Sequence, residues 1–204
     1  MKIFLVRHGE SVDDIDDCYG GMADFQLSEG GRRTASDLTK QLVNRGIVRI
    51  YTSPYKRAHE TASIIGAALG SEPVVIPDLR ERNSYGVLSG VNKAIAKEIF
   101  GHVLSTVKGK PGDFYSSELL PGAESLPEFN ARVKKAFETI AADADALEAI
   151  CIVTHGNATR SIYSEILQVP GKVDLDLLAI TVIDYTRPRL KIESQVGVRV
   201  SAAT

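Results

Sequence analysis

Short apolar runs alternate along this chain with stretches of helical period. Lys2-Ile-Phe-Leu-Val6 is a run of the kind that forms a buried strand. After Ser28, a suitable N-cap, Ala35, Leu38 and Leu42 fall on one face, and Gly46 marks a stop, which predicts a helix. Val48 to Tyr51 predicts a second strand. Ser53-Pro54 predicts an N-cap with proline in the first turn of a helix that carries Ala58, Ala62, Ile65 and Leu69 and closes at Gly70. Pro73 to Ile76 is a third strand. Residues 78 to about 124 break the alternation. They hold glycines, Pro111, Pro121 and one modest helical stretch near Asn92 to Phe100, and read as a lid. Ser125-Leu-Pro-Glu128 is a capping box opening a long helix whose apolar face carries Phe129, Val133, Phe137 and Ile140. Ala149 to Thr154 is another strand, followed by a helix from about Thr159 to Gln168. Leu177 to Asp184 and Leu190 to Val200 read as two closing strands, antiparallel at one edge.

Strands alternating with helices require right-handed crossovers and a mostly parallel sheet covered on both faces. The expected fold is a three-layer α/β/α sandwich with an antiparallel edge strand and a small lid insertion, one domain over residues 1–204. Composition narrows the field of functions. Lys and Arg number 24 against 26 Asp and Glu, a formal net charge of -2, so no basic surface for nucleic acid is expected. Cys18 and Cys151 are far apart and lack zinc or disulfide spacing, which fits a reducing compartment. The first apolar run, Ile3 to Val6, is too short for a signal peptide or a membrane span. The expectation is a soluble cytoplasmic protein, monomer or homodimer, with no membrane or nucleic-acid partner.

Two strands end alike, in Val6-Arg7-His8-Gly9 and Val153-Thr154-His155-Gly156. Ligands of open parallel sheets bind beyond the carboxyl ends of the strands. If these strands are neighbours, two imidazoles converge there, each beside a glycine that lets backbone approach. Arg7, and Arg57 in the first turn of the helix after the second strand, add guanidiniums. With the positive end of that helix they form an anion site suited to phosphate. A neutral imidazole in such a site can attack phosphorus, and a carboxylic acid must protonate the leaving group. Glu81, in Leu79-Arg-Glu-Arg82, is the candidate, with Asp78 as a competitor and Arg80 or Arg82 as surface ion-pair partners.

Leu5-Val-Arg-His-Gly-Glu-Ser11 resembles the opening motif of the histidine phosphatase superfamily, also called the phosphoglycerate mutase-like family. Leu27-Ser-Glu-Gly30, Ser53-Pro-Tyr-Lys-Arg-Ala58 with Glu60-Thr-Ala62, Tyr85-Gly-Val-Leu-Ser-Gly90, Pro121-Gly-Ala-Glu-Ser125 and Val153-Thr-His-Gly-Asn157 follow in the family's order. The resemblance implies His8 as a phosphorylated nucleophile, Arg7, Arg57 and His155 as the phosphate pocket, and Glu81 as proton donor. It also implies a small phosphate ester as substrate and no metal. Ser11, Asp14, Gly20 and Asn157 are further substrate-contact candidates.

The mutase and phosphatase branches compete. Glu81-Arg82, Tyr85-Gly86, Gly90-Val-Asn-Lys-Ala94 and His155-Gly-Asn157 with Arg160 look mutase-like. The tryptophan and asparagine that mutases carry after the first motif are Asp13 and Asp14 here, and the later Ser-Gly-Trp is Gly20-Gly21-Met22. Asn83-Ser84-Tyr85 is one residue longer than its counterpart. The stretch from Gly90 to Pro121 is short, and a mutase needs its lid to keep water from the phosphoenzyme. The reading favours hydrolysis. The alternatives are a mutase using 2,3-bisphosphoglycerate as cofactor, and a phosphate-binding module without catalysis. Asp13-Asp-Ile-Asp-Asp17 fails as a calcium loop, because the sixth position from Asp14 is Tyr19. Carboxylates at the mouth of a phosphate site disfavour polyanionic ligands. His59 and His102 read as surface residues.

Overall fold

The computed structural model describes residues 1–107, 120–186 and 189–202. Its strands are β1 (Lys2–Arg7), β2 (Ile47–Thr52), β3 (Pro73–Val75), β4 (Ala149–Thr154), β5 (Lys172–Thr186) and β6 (Arg189–Ser201). They form one sheet in the order β3-β2-β4-β1-β5-β6. The first four are parallel neighbours. β5 runs antiparallel to β1, and β6 antiparallel to β5. The reversed strand thus lies one place in from the edge.

The helices are α1 (Val12–Ile15), α2 (Glu29–Leu42), α3 (Lys56–Leu69), α4 (Lys93–Val107), α5 (Leu126–Asp143) and α6 (Gly156–Glu165). The three layers follow from the period-two alternation of strand side chains. Ile3, Leu5, Ile150 and Ile152 pack with Phe129, Val133 and Phe137 of α5 and Ile162 of α6. Their neighbours Phe4, Val6, Cys151 and Val153 point to the other face and meet Leu38 and Leu42 of α2 and Ala58, Ala62 and Ile65 of α3. Apolar residues on both faces of β1 and β4 explain why those strands read as continuous hydrophobic runs.

Several boundaries depart from the sequence reading. α2 ends at Leu42, and Asn44 and Gly46, with φ of 63° and 72°, make the turn after it. Ser53 does not cap α3. The Lys56 N–H donates to Asp24 Oδ1 at 2.6 Å and the Arg57 N–H to the Phe25 carbonyl at 3.1 Å, so a distant loop supplies the cap. α4 extends to Val107 through non-helical dihedrals at Phe100. α6 begins at Gly156, because His155 itself takes the extended N-cap conformation. β5 begins at Lys172, where Val173 and Leu175 alternate inward in a pattern too short to stand out. A register shift between Leu175 and Ile180 includes Leu178 at φ 58°. The expected lid, 78 to about 124, includes residues 108–119 with Pro111, which lie outside the described residues. Its described part packs a small cluster of Leu88, Ala96, Leu120 and Ala123 against Tyr19 and Tyr85. Among the described residues, no helix is long and apolar enough to cross a membrane.

Candidate active site

β1 and β4 are parallel neighbours with Arg7 opposite Thr154, so His8 and His155 leave the sheet at the same carboxyl edge. The His8 N–H still donates to the Thr154 carbonyl at 2.9 Å, which carries the register one residue past the strand. The two imidazoles meet edge to face with centroids 5.0 Å apart.

His8 is 6% exposed. Its Nδ1 lies 2.7 Å from the Gly9 carbonyl. A carbonyl only accepts, so Nδ1 carries the proton and Nε2 keeps its lone pair. Burial pushes the His8 pKa well below the ordinary histidine value. The Arg57 charge adds to that shift and outweighs the opposing Gly9 bond, and Arg7 adds a further push downward. His8 is therefore neutral near pH 7, the form a nucleophile needs.

His155 is 0% exposed, with Nε2 2.7 Å from Ser53 Oγ. Burial pushes its pKa well down, followed by Arg57, His8 and Arg7. Its Nδ1 is buried without a partner among the described residues.

Arg57, 2% exposed, is fixed from both ends of its guanidinium. Nη1 donates to the Ala23 carbonyl at 2.8 Å and Nη2 to the Gly21 carbonyl at 3.1 Å. The N–H groups of Lys56 and Arg57 are occupied by Asp24 and Phe25, so this helix end does not supply the anion donors expected of it. The helix end that meets the site is that of α6, whose Asn157 N–H donates to Glu81 Oε2 at 3.1 Å. Arg7 Nη1 donates to the Leu175 carbonyl at 2.6 Å, while its Nε is buried without a partner among the described residues. Burial pushes the Arg7 pKa down, opposed by Glu81 and Asp14, and a guanidinium remains charged. A Cβ added at Gly156 would lie 3.2 Å from Arg160 Nη1 and 3.6 Å from Arg7 Nε, so a side chain there would press on the Arg160 guanidinium.

Glu81 is held by its backbone as well as its carboxylate. Arg132 Nη1 donates to the Asp78 and Arg80 carbonyls, both at 2.8 Å, and Nη2 donates to the Glu81 carbonyl at 3.1 Å. The other side of Arg132 is paired with Glu124 at 2.6 Å. Glu81 Oε1 accepts from the Arg82 N–H at 2.8 Å. Asp78 is engaged by Arg80 at 3.1 Å.

These groups line a cavity of about 270 Å³. Arg7, His8, Asp14, Gly20, Arg57, Glu81 and Asn157 all border it. Two expected residues do not. His155 stands behind His8, held there by Ser53, and Ser11 is buried beneath, its N–H and Oγ both donating to Asp14 Oδ2. The cavity wall also includes Asp13, from the acidic run expected at the mouth of the site, and Gly21, Arg82, Tyr85, Lys93 and Arg160, which the sequence reading does not assign as substrate contacts. Arg160 carried a signal, since it lies four residues after Gly156 and shares that side of α6. Tyr85 and Lys93 fall in stretches that resemble the family's motifs, but their place on the wall follows from tertiary packing.

Residues 3–196 match the histidine phosphatase superfamily, branch 1. The chain is 32% identical over 175 residues to phosphoglycerate mutase-like protein 4 of Arabidopsis thaliana, covering 85% of this chain and 74% of that protein. It is 30% identical over 194 residues to the 2,3-bisphosphoglycerate-dependent phosphoglycerate mutase 2 of Lactobacillus johnsonii, covering 84% of each. Among solved structures, the α-ribazole phosphatase of Shigella flexneri superposes with a TM-score of 0.80 at 20% identity, over 100% of this chain and 98% of that one. With the family match spanning nearly the whole sequence, the chain belongs to the histidine phosphatase superfamily, branch 1.

Proposed function

We propose that this protein hydrolyses small phosphate monoesters through a phosphohistidine on His8. The observation that carries the reading is the state of His8: a neutral, buried imidazole whose Nδ1–H is committed to the Gly9 carbonyl. Its Nε2 lone pair is left as the nucleophile, in a cavity bordered by Arg7 and Arg57. Nε2 attacks phosphorus and the ester oxygen leaves. The guanidiniums stabilise charge on the transferring oxygens, with His155 behind them. Glu81 in its protonated form gives its proton to the leaving oxygen. As carboxylate it then takes a proton from water, which attacks phosphorus and frees His8 and phosphate. Guanidiniums supply the positive charge here, so the donor set calls for no metal or organic cofactor. Two free cysteines, Cys18 and Cys151, accord with a cytoplasmic setting.

The test is turnover of p-nitrophenyl phosphate with EDTA, for wild type and His8→Ala. Hydrolysis that persists in wild type and vanishes in the variant supports the reading, and hydrolysis retained in the variant overturns it. The names of the sequence relatives favour a second reading, phosphoglycerate mutase with 2,3-bisphosphoglycerate. Isomerisation of 3-phosphoglycerate faster than its hydrolysis would establish that reading instead. If neither reaction occurs and a small phosphodonor leaves His8 unlabelled, the protein binds phosphate ligands without turning them over.

A further inference from the structure

The cavity is electrically lopsided. Arg7, Arg57, Arg82 and Arg160 contribute cations, while residues 13–21 bring Asp13 and Asp14 to the same space. Asp13 is 7% exposed, and its Oδ1 is buried with no hydrogen-bond partner among the described residues. A buried carboxylate oxygen without a donor is costly, and among the described residues no side chain relieves it. Lys93, which lines the wall, is committed to Asp17 at 2.5 Å. Gly20 fits closely over Asp13, since a Cβ there would come within 2.5 Å of Asp13 Oδ2. Asp14 is oriented in turn, its Oδ2 held by the N–H and Oγ of Ser11 at 2.9 and 3.2 Å.

We infer that Asp13 and Asp14 form an acceptor wall for the leaving group. On this inference, which rests on the phosphoryl site proposed above, the preferred substrates are phosphomonoesters whose alcohol portion carries N–H or O–H donors. A second phosphate or a carboxylate there is disfavoured. The phosphate goes to the guanidiniums and the alcohol portion to the carboxylates. An ammonium gains both a hydrogen bond and charge attraction, a hydroxyl gains only the hydrogen bond, and a carboxylate is repelled.

Three short esters separate these cases: phosphoethanolamine, glycerol 3-phosphate and 3-phosphoglycerate. Their dissociation constants are measured by calorimetry on the His8→Ala protein, where turnover does not interfere, and kcat/KM is measured on wild type. The expected order of affinity is phosphoethanolamine, then glycerol 3-phosphate, then 3-phosphoglycerate, with about tenfold or more between the extremes. Asp13→Asn and Asp14→Asn, each in the same background, should compress that range. Asp14 is exposed, so its variant serves even if the buried Asp13→Asn protein folds poorly, which a melt at neutral pH reports. Equal affinities for the three esters, tightest binding of 3-phosphoglycerate, or a range unchanged in both variants would overturn the acceptor wall. The expected ranking in binding with no wild-type turnover would retain the wall and remove the phosphatase reading; turnover with a flat ranking would do the reverse.

Discussion

Keeping His8 and His155 neutral inside the fold makes stability depend on pH in a direction that can be worked out. Both pKa values lie well below the unfolded value, chiefly through burial. The unfolded state, with histidine near 6.5, takes up protons that the folded state refuses. Stability is therefore complete above about pH 6.5 and is lost as pH falls from there toward the folded pKa values. At pH 5.5, each histidine that stays neutral in the fold costs about 1.4 kcal/mol relative to pH 7.5, roughly 2.8 kcal/mol for the pair. With an unfolding entropy of about 2.1 cal/mol/K per residue, that lowers the melting temperature of this chain by roughly 6 °C. The assay is thermal unfolding at pH 7.5 and 5.5 for wild type, His8→Asn, His155→Asn and the double variant. Each single variant should lose about half of the histidine contribution, and the double variant defines the background from other groups. A pH-dependent drop that is as large in the double variant as in wild type would refute the reasoning.

Three further outcomes follow from the same geometry. Glu81→Gln should lower kcat/KM on alkyl phosphates, which reports the leaving-group step, by about 10²–10⁴-fold. The loss should be smaller on p-nitrophenyl phosphate, whose leaving group needs less help from an acid, and steady-state rates on the two substrates check the contrast. Gly156→Ala places a methyl 3.2 Å from Arg160 Nη1, so KM should rise while the melting temperature stays nearly unchanged; an unaltered KM contradicts the crowding. Arg57→Lys removes the paired donors to the Ala23 and Gly21 carbonyls. The expected loss is about 2–3 kcal/mol of stability, measured by urea unfolding, together with weaker phosphate inhibition.

The fold was legible wherever a single local rule governs several residues. β1 and β4 read as continuous apolar runs because side chains of both parities are covered. The Ser125–Glu128 cap was legible because both of its partners lie within one helical turn. Long-range partners escaped. Asp24 takes over the capping of α3 from a loop more than thirty residues away, which frees Ser53 to hold His155. Arg132, on α5, fixes the Glu81 loop through three carbonyls, and nothing near Arg132 in sequence announces it. The repeated Arg/Thr-His-Gly strand ends placed His8 and His155 together, whereas Arg82, Tyr85 and Lys93 reach the cavity through tertiary packing alone.

The same division explains why the cleft looks anomalous in energetic terms. Elsewhere among the described residues most buried groups follow the sheet and helix periods and find partners, Thr159 Oγ1 and Ser161 Oγ on α6 being exceptions. At the carboxyl edge of β1 and β4, Arg7 Nε and His155 Nδ1 are buried without partners, and Asp13 Oδ1 shares that condition a short distance away. Each such group costs about 1–3 kcal/mol, and the apolar packing of both sheet faces absorbs that cost. Arg7 borders the cavity and its Nε is a donor for a phosphate oxygen, and Asp13 borders it with an acceptor, whereas His155 stands behind His8 outside the lining. On the proposed reading, a phosphomonoester with a donor-bearing alcohol engages Arg7 through its phosphate and Asp13 through its alcohol, so that part of the cost is returned on binding. Inorganic phosphate alone would engage Arg7 and leave Asp13 as it is, so on that reading the alcohol portion, rather than the phosphate, is where this cleft discriminates.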